Sequence, residues 1–185
     1  DLGAFITNIQ ERLEVLPGVG VSIVLGDKVL LSKGYGVADI TTQTPFTAGT
    51  YSYIASGTKA VVGLTIATLA ERGELDLDAP IGTTYLSDMD QDKLGLMAHV
   101  TLRQLLTHTS GLPAWRPLYL EAPSRDSALA LVYLTDLETP PGMEYRDSDL
   151  GAILLAQAVE TAWGMGLDSI LAQRVFRPLG MLSTT

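Results

Sequence analysis

The sequence contains no cysteine, so disulfides and thiolate metal sites are excluded, while the compartment is left open. Histidine is almost missing as well. With only His99 and His108, a zinc site would need carboxylates to complete it. Basic residues are scarce: 12 Lys and Arg stand against 21 Asp and Glu, a formal net charge of −9. So acidic a chain is a poor partner for nucleic acid or an anionic membrane. No apolar run is long enough to span a bilayer; Ala60–Ala70 and Leu150–Val159 both fall short. The chain opens at Asp1 with neither methionine nor signal peptide, and the expectation is a removed leader or a trimmed chain.

What is present belongs to a folded protein. Hydrophobic residues make up 46% of the 185 and charged ones 18%, enough for one sizeable core. In Phe5–Leu16, residues Phe5, Ile9, Leu13 and Leu16 recur at helical spacing, with Pro17-Gly18 as the stop. "VGVSIVLGDKVLLSKGYGVAD" reads as two strands around a Gly26-Asp27 hairpin turn. After Gly57 comes an uncharged stretch, Ala60–Ala70, which predicts a helix buried on most sides, with Gly73 just past its end. "ELDLDAPIGTTYLSDMDQDKLG" is acidic and reads as a solvated surface loop. It lacks the glycine and glutamate spacing of an EF-hand, so no metal is expected.

Thr101 and Gln104 form a T-x-x-Q capping box that starts a helix at Leu102, with Gly111 and Pro113 as its stop. A short helix follows over Ser127–Leu134, then a long apolar one in "SDLGAILLAQAVETAWG", then a last one ending near Pro178. The order predicts an α+β protein. Residues 1–52 supply a helix and hairpin of an antiparallel sheet, and 53–185 form a helical region.

The stretch "YIASGTK" raises the chemical question. Ser56 can be read as a helix cap, because serine is a favoured N-cap. A plain cap, however, predicts an acidic first turn, and here that turn carries Lys59. The alternative is a nucleophile and its base. Residues at i and i+3 share a helix face, so Lys59 can reach Ser56. Partial burial and the positive end of the helix would lower the lysine pKa and let it take the serine proton. Amides at the helix start would help to hold an oxyanion.

Five ordered stretches make the chain resemble the serine β-lactamase and penicillin-binding-protein superfamily. They are "YIASGTK", "ERGELDLDAPI", "TLRQLLTHTSGLP", "PPGMEYRDSDLGAILLA" and "RPLGM". The branch it is most similar to holds class C β-lactamases, D-amino-acid peptidases and related esterases, and S-x-x-K is a signature of the wider group. The resemblance implies a β-lactamase-like fold whose sheet is incomplete in this chain, and acyl transfer with Ser56 as nucleophile and Lys59 as base. It implies no cofactor and no metal, a small-molecule or peptide substrate, and an extracytoplasmic place. By the same resemblance, His108 is a structural helix end rather than a triad histidine.

The pattern breaks at the second motif, Tyr-x-Asn or Tyr-Ser-Asp in the family. Counting back from "LGAILLA" sets Asp147-Ser148-Asp149 on it. Asp149 fits the aspartate variant and would contact Lys59, but Asp147 stands where the family has tyrosine. Three explanations stay open: Asp147 cripples the proton shuttle, Asp147 serves as a carboxylate base, or a local slip brings Tyr145 inward. A carboxylate donates no proton at neutral pH unless burial raises its pKa. The third motif, Lys/His-Thr/Ser-Gly, has no match after Asp149. The expectation is a serine hydrolase whose sheet a second polypeptide completes, or else a crippled fragment. Its rival is a non-catalytic binding or regulatory protein on the same fold.

Overall fold

The computed structural model describes residues 2–12, 16–86 and 91–184. The chain divides into two units, Asp1–Tyr53 and Ile54–Thr185.

In the first unit, α1 spans Leu2–Arg12. Residues 13–15, over which the expected helix runs on to Leu16, lie outside the described residues; Leu16 itself lies in a bend, and its N–H donates to Arg12 O at 3.0 Å. Pro17 disfavours the helical region for the residue before it, in keeping with the stop signal read there. Strand β1 (Gly18–Leu25) then pairs antiparallel with β2 (Lys28–Asp39) in the register Gly18↔Gly36 to Leu25↔Lys28. Gly26 sits at φ 61° while Asp27 keeps a negative φ, which is the expected hairpin turn with glycine first. A third strand, β3 (Thr44–Pro45), pairs with β2 at Val37 and Asp39. The sequence does not announce it, because two residues carry no periodicity.

The second unit is helical. Its elements are α2 (Gly57–Glu71), α3 (Ile81–Thr84), α4 (Gln91–Leu94), a 3-10 turn (Gly95–His99) and α5 (Leu102–Leu106). There follow α6 (Leu118–Glu121), α7 (Arg125–Tyr133), α8 (Asp149–Trp163) and α9 (Leu167–Leu171), which runs into a π turn at Ala172–Phe176. One core joins them, with Val62, Ile66 and Leu69 of α2 buried beside Leu102 and Leu105 of α5 and Leu150, Leu154 and Val159 of α8. At about 25 cal/mol per Å² of apolar area, such side chains contribute roughly 1.5–3 kcal/mol each. None of the described helices is by itself long and apolar enough to cross a membrane.

Two expectations need refinement here. Helix α2 is buried on most sides but not on all: Ala60, Leu64 and Ala67 form an exposed stripe, and Leu64 is 56% exposed. Uncharged composition permits burial but does not enforce it on every face. The acidic stretch after Glu74 is likewise only partly a surface loop. Ile81, Tyr85 and Leu86 are buried around α3, and Pro80 bridges to Thr101. Residues 87–90 of that stretch lie outside the described set.

The local signals around α5 and α8 place the site. The Thr101 hydroxyl accepts from the Gln104 amide, and the Gln104 side chain accepts from the Thr101 amide, so α5 starts at Leu102 as read. Its end comes earlier than expected, at Leu106. Past it, His108 N–H donates to Leu105 O at 3.2 Å and Thr109 N–H to Gln104 O at 2.8 Å. This pair of bonds is the Schellman arrangement, with His108 in the left-handed position at φ 56°. Thr101→Ala is expected to lower the unfolding free energy by about 1 kcal/mol, read from the urea midpoint, because the cap satisfies an otherwise orphaned amide.

Candidate active site

Two loops are laced together beneath the site. Residues 108–114 follow α5, and residues 138–149 lead into α8. Arg146 N–H donates to His108 O and Gly142 N–H to Thr109 O, both at 2.7 Å. Glu138 N–H donates to Gly111 O and Asp149 N–H to Ala114 O, both at 2.8 Å. The buried Ser148 hydroxyl donates to Pro113 O at 2.6 Å and accepts from Gly151 N–H, capping α8. Gly111 lets the loops close: at φ 83°, a Cβ there would lie 2.0 Å from Thr139 O. Gly111→Ala combines left-handed strain with a backbone clash. It is expected to cost about 3 kcal/mol or more, measured by equilibrium unfolding.

Ser56 enters from the other side, at the mouth of α2. Ala55 before it is held at φ 44°, and Ser56 itself is helical at φ −62°, ψ −11°. Its side chain makes no capping hydrogen bond. The first turn is closed by backbone bonds alone, from Gly57 to Ile54, Thr58 to Ala55 and Lys59 to Ser56. Reading Ser56 as a plain cap therefore has no geometric support. Among the described residues its hydroxyl has no hydrogen-bond partner, and the side chain is exposed.

Lys59 is occupied. Its Nζ lies 2.6 Å from Asp147 Oδ1 and 2.7 Å from Asp149 Oδ1. The lysine side chain is 20% exposed and that of Asp147 is 60% exposed. Burial alone would lower the lysine pKa, but the hydrogen bonds and charges of Asp147 and Asp149 together outweigh it and raise it above 10.5. The hydrogen bond from Lys59 holds Asp147 below 3.8 against a smaller burial effect, with help from the charge of Lys59 and from the His108 imidazole nearby. This corrects the expected lowered lysine pKa. Spacing reveals the helix end and the partial burial, and the resemblance brings Asp149 to Lys59, but neither foresees Asp147 as a second carboxylate on the lysine.

A raised lysine stabilises the fold fully below its unfolded pKa, and that contribution is lost as pH climbs past the folded value, above 10.5. A lowered aspartate stabilises above its unfolded pKa and is lost as pH falls through the folded value, below 3.8. The ion pair therefore persists across neutral pH. Lys59 is a cation there, not a free base.

Asp149 meets Lys59, the contact expected of it, and Asp147 meets the same lysine. Tyr145 does not: it is 73% exposed and its ring stands edge-on to His108, with centroids 5.8 Å apart. The slip that would bring Tyr145 inward is absent. His108 is half-buried, as a structural residue should be, yet it also reaches the charged cluster: its Nδ1 accepts from Ser148 N–H at 3.1 Å and its Nε2 lies 3.6 Å from Asp147 Oδ1. No local signal around His108 points to that second contact. A cleft of about 300 Å³ opens beside Lys59 and His108. Val62, Gly63, Leu64, Leu105, Leu106 and Leu155 give it an apolar floor. Among the described residues, no group of three or more His, Asp or Glu is placed to hold a metal ion.

A beta-lactamase family model matches residues 5–185. Protein flp of Staphylococcus aureus (strain COL) is 28% identical over 174 residues, which are 92% of this chain and 35% of that protein. A solved octameric penicillin-binding protein homologue from Pyrococcus abyssi superposes with a TM-score of 0.82 at 26% identity, over 98% of this chain and 44% of its own. A putative beta-lactamase from Bacteroides dorei DSM 17855 gives 0.79 at 27% identity, over 98% and 52%. The chain spans about a third of the curated relatives it matches and about half of these solved chains.

Proposed function

We propose that this chain, which belongs to the beta-lactamase family, carries a serine acyl-transfer centre acting on an ester, amide, β-lactam or D-amino-acid peptide. The observation that carries the reading is Lys59 Nζ, one helical turn past Ser56 and 2.6 and 2.7 Å from Asp147 and Asp149. In this scheme Ser56 Oγ attacks the carbonyl carbon, and its proton passes to Lys59. The proton then goes to the departing alcohol or amine as the acyl–oxygen or acyl–nitrogen bond breaks. Water repeats the sequence on the acyl-enzyme and frees the acid. The Ser56 amide serves as one oxyanion donor. The apolar cleft beside Lys59 takes an apolar group of the substrate.

Asp147 sets the rate. It holds Lys59 charged, so attack draws on the small fraction of lysine that has lost its proton, and that fraction grows with pH. An activated ester is therefore expected to give a burst of product near one equivalent, followed by slow turnover that quickens toward alkaline pH. Stopped-flow absorbance measures both phases. Product released linearly from zero time, with no acyl-serine trapped by acid quench, would count against the acyl-enzyme.

The doubly paired lysine also favours a second reading, a non-catalytic binding or regulatory protein on the same fold. The trapped acyl-serine separates the two. The complete catalytic unit, in this proposal, includes strands from outside these residues, because the sheet among the described residues has three strands in the order β1-β2-β3 and the family relatives are longer. Those strands, carried by a second polypeptide or by a further part of the same one, bring the third motif. Intact-mass analysis alongside an activity assay tests this. A single 19.7 kDa species with full hydrolase turnover would refute it.

A further inference from the structure

We propose that His108 is a positioning residue that acts on Lys59 through Asp147, holding the Asp147 carboxylate on the lysine. The inference rests on the reading of Ser56, Lys59 and Asp147 as one centre, and deepens it.

Three observations carry it. The first is a cost. His108 occupies the left-handed position of a helix-ending motif, at φ 56°. Glycine or asparagine fills that position with less strain. The second is orientation. Nδ1 accepts the Ser148 amide at 3.1 Å, so Nδ1 carries no hydrogen and the ring hydrogen is on Nε2. That hydrogen faces the acidic side of the site. The third is the shared atom: Asp147 Oδ1 is both the oxygen 2.6 Å from Lys59 Nζ and the one 3.6 Å from His108 Nε2.

At 3.6 Å the Nε2 contact is a dipole facing a charge rather than a hydrogen bond. It is nonetheless directional. The Asp147 side chain is largely solvated, and the ring favours the rotamer that keeps Oδ1 on Lys59. The backbone contributes too, since Arg146 N–H is tied to His108 O and Ser148 N–H to His108 Nδ1. The residues on either side of Asp147 are thus both pinned by this histidine. The other charged and titratable groups nearby are accounted for. Asp149 is the second lysine partner, Arg146 pairs with Glu138 and Glu144, and the Tyr145 ring packs edge-on to His108.

The test is His108→Asn, with His108→Gly beside it. Asparagine tolerates the left-handed backbone, and its Oδ1 replaces Nδ1 as acceptor for Ser148, but nothing replaces Nε2. The readout is the titration of Lys59, obtained by competitive acetylation with acetic anhydride and peptide mass spectrometry. It needs no catalysis, so it stands even if Ser56 proves unreactive. Acid-quench trapping of acyl-Ser56 tests the parent reading separately. His108→Asn is expected to move the Lys59 midpoint down by roughly half a unit and to speed Ser56 labelling about threefold at neutral pH, with a melting temperature that does not fall. In an Asp147→Asn background the same substitution should do nothing further. His108→Gly should shift the lysine in the same direction while relieving the backbone. An unshifted Lys59 in the His108→Asn protein, or an equal shift with and without Asp147, would overturn the proposal and leave His108 a loop anchor only.

Discussion

Asp147→Asn is expected to speed covalent labelling of Ser56 about tenfold at pH 7.5. The substitution keeps the shape of the side chain and removes one of the two negative charges on Lys59. An opposite charge at such range shifts a pKa by about 1–3 units, and the solvation of Asp147 favours the lower end. One unit means ten times more neutral lysine at any pH well below its midpoint. The labelling rate of the unaltered protein should climb toward pH values above 10.5, and in the variant that limb should move to lower pH. Asp147→Tyr is expected to go further where the full site is present, because a phenol can both take and give a proton. Flat rates across all three proteins would mean that Asp147 does not restrain the lysine.

Ser56→Ala has the largest effect expected of any single change: loss of all covalent labelling and of the ester burst. Stability should hardly move, by no more than about 0.5 kcal/mol, because the serine makes no capping bond and sits in solvent. This differs from the roughly 1 kcal/mol that a true N-cap would lose. Melting and labelling of the same preparation therefore separate a nucleophile from a cap. An alanine protein that melts early yet labels normally would reverse both assignments.

Part of the site was legible in local chemistry: the Thr101–Gln104 box marks the start of α5, and Gly164 follows α8. The register that sets Asp147-Ser148-Asp149 on the second motif comes instead from the family resemblance, which implies a contact with Lys59 for Asp149 alone; the structure has both carboxylates on the lysine. What could not be read depends on distance in space. The charge state of Lys59 is decided by carboxylates 88 residues away for Asp147 and similarly far for Asp149. The second contact of His108 depends on a left-handed turn that histidine does not announce. The open face of α2 was hidden too, because alanine and leucine look the same on a buried stripe and an exposed one.

In the proposed function, Ser56 is a nucleophile one helical turn before a charged lysine. The most direct measurement is incubation of the protein with a fluorophosphonate and, separately, with a penicillin, followed by intact mass and peptide mapping at neutral and alkaline pH. A single adduct is expected on the peptide containing Ser56, forming faster as pH rises and absent from Ser56→Ala. No adduct at either pH, or an equal adduct on the alanine protein, would contradict it.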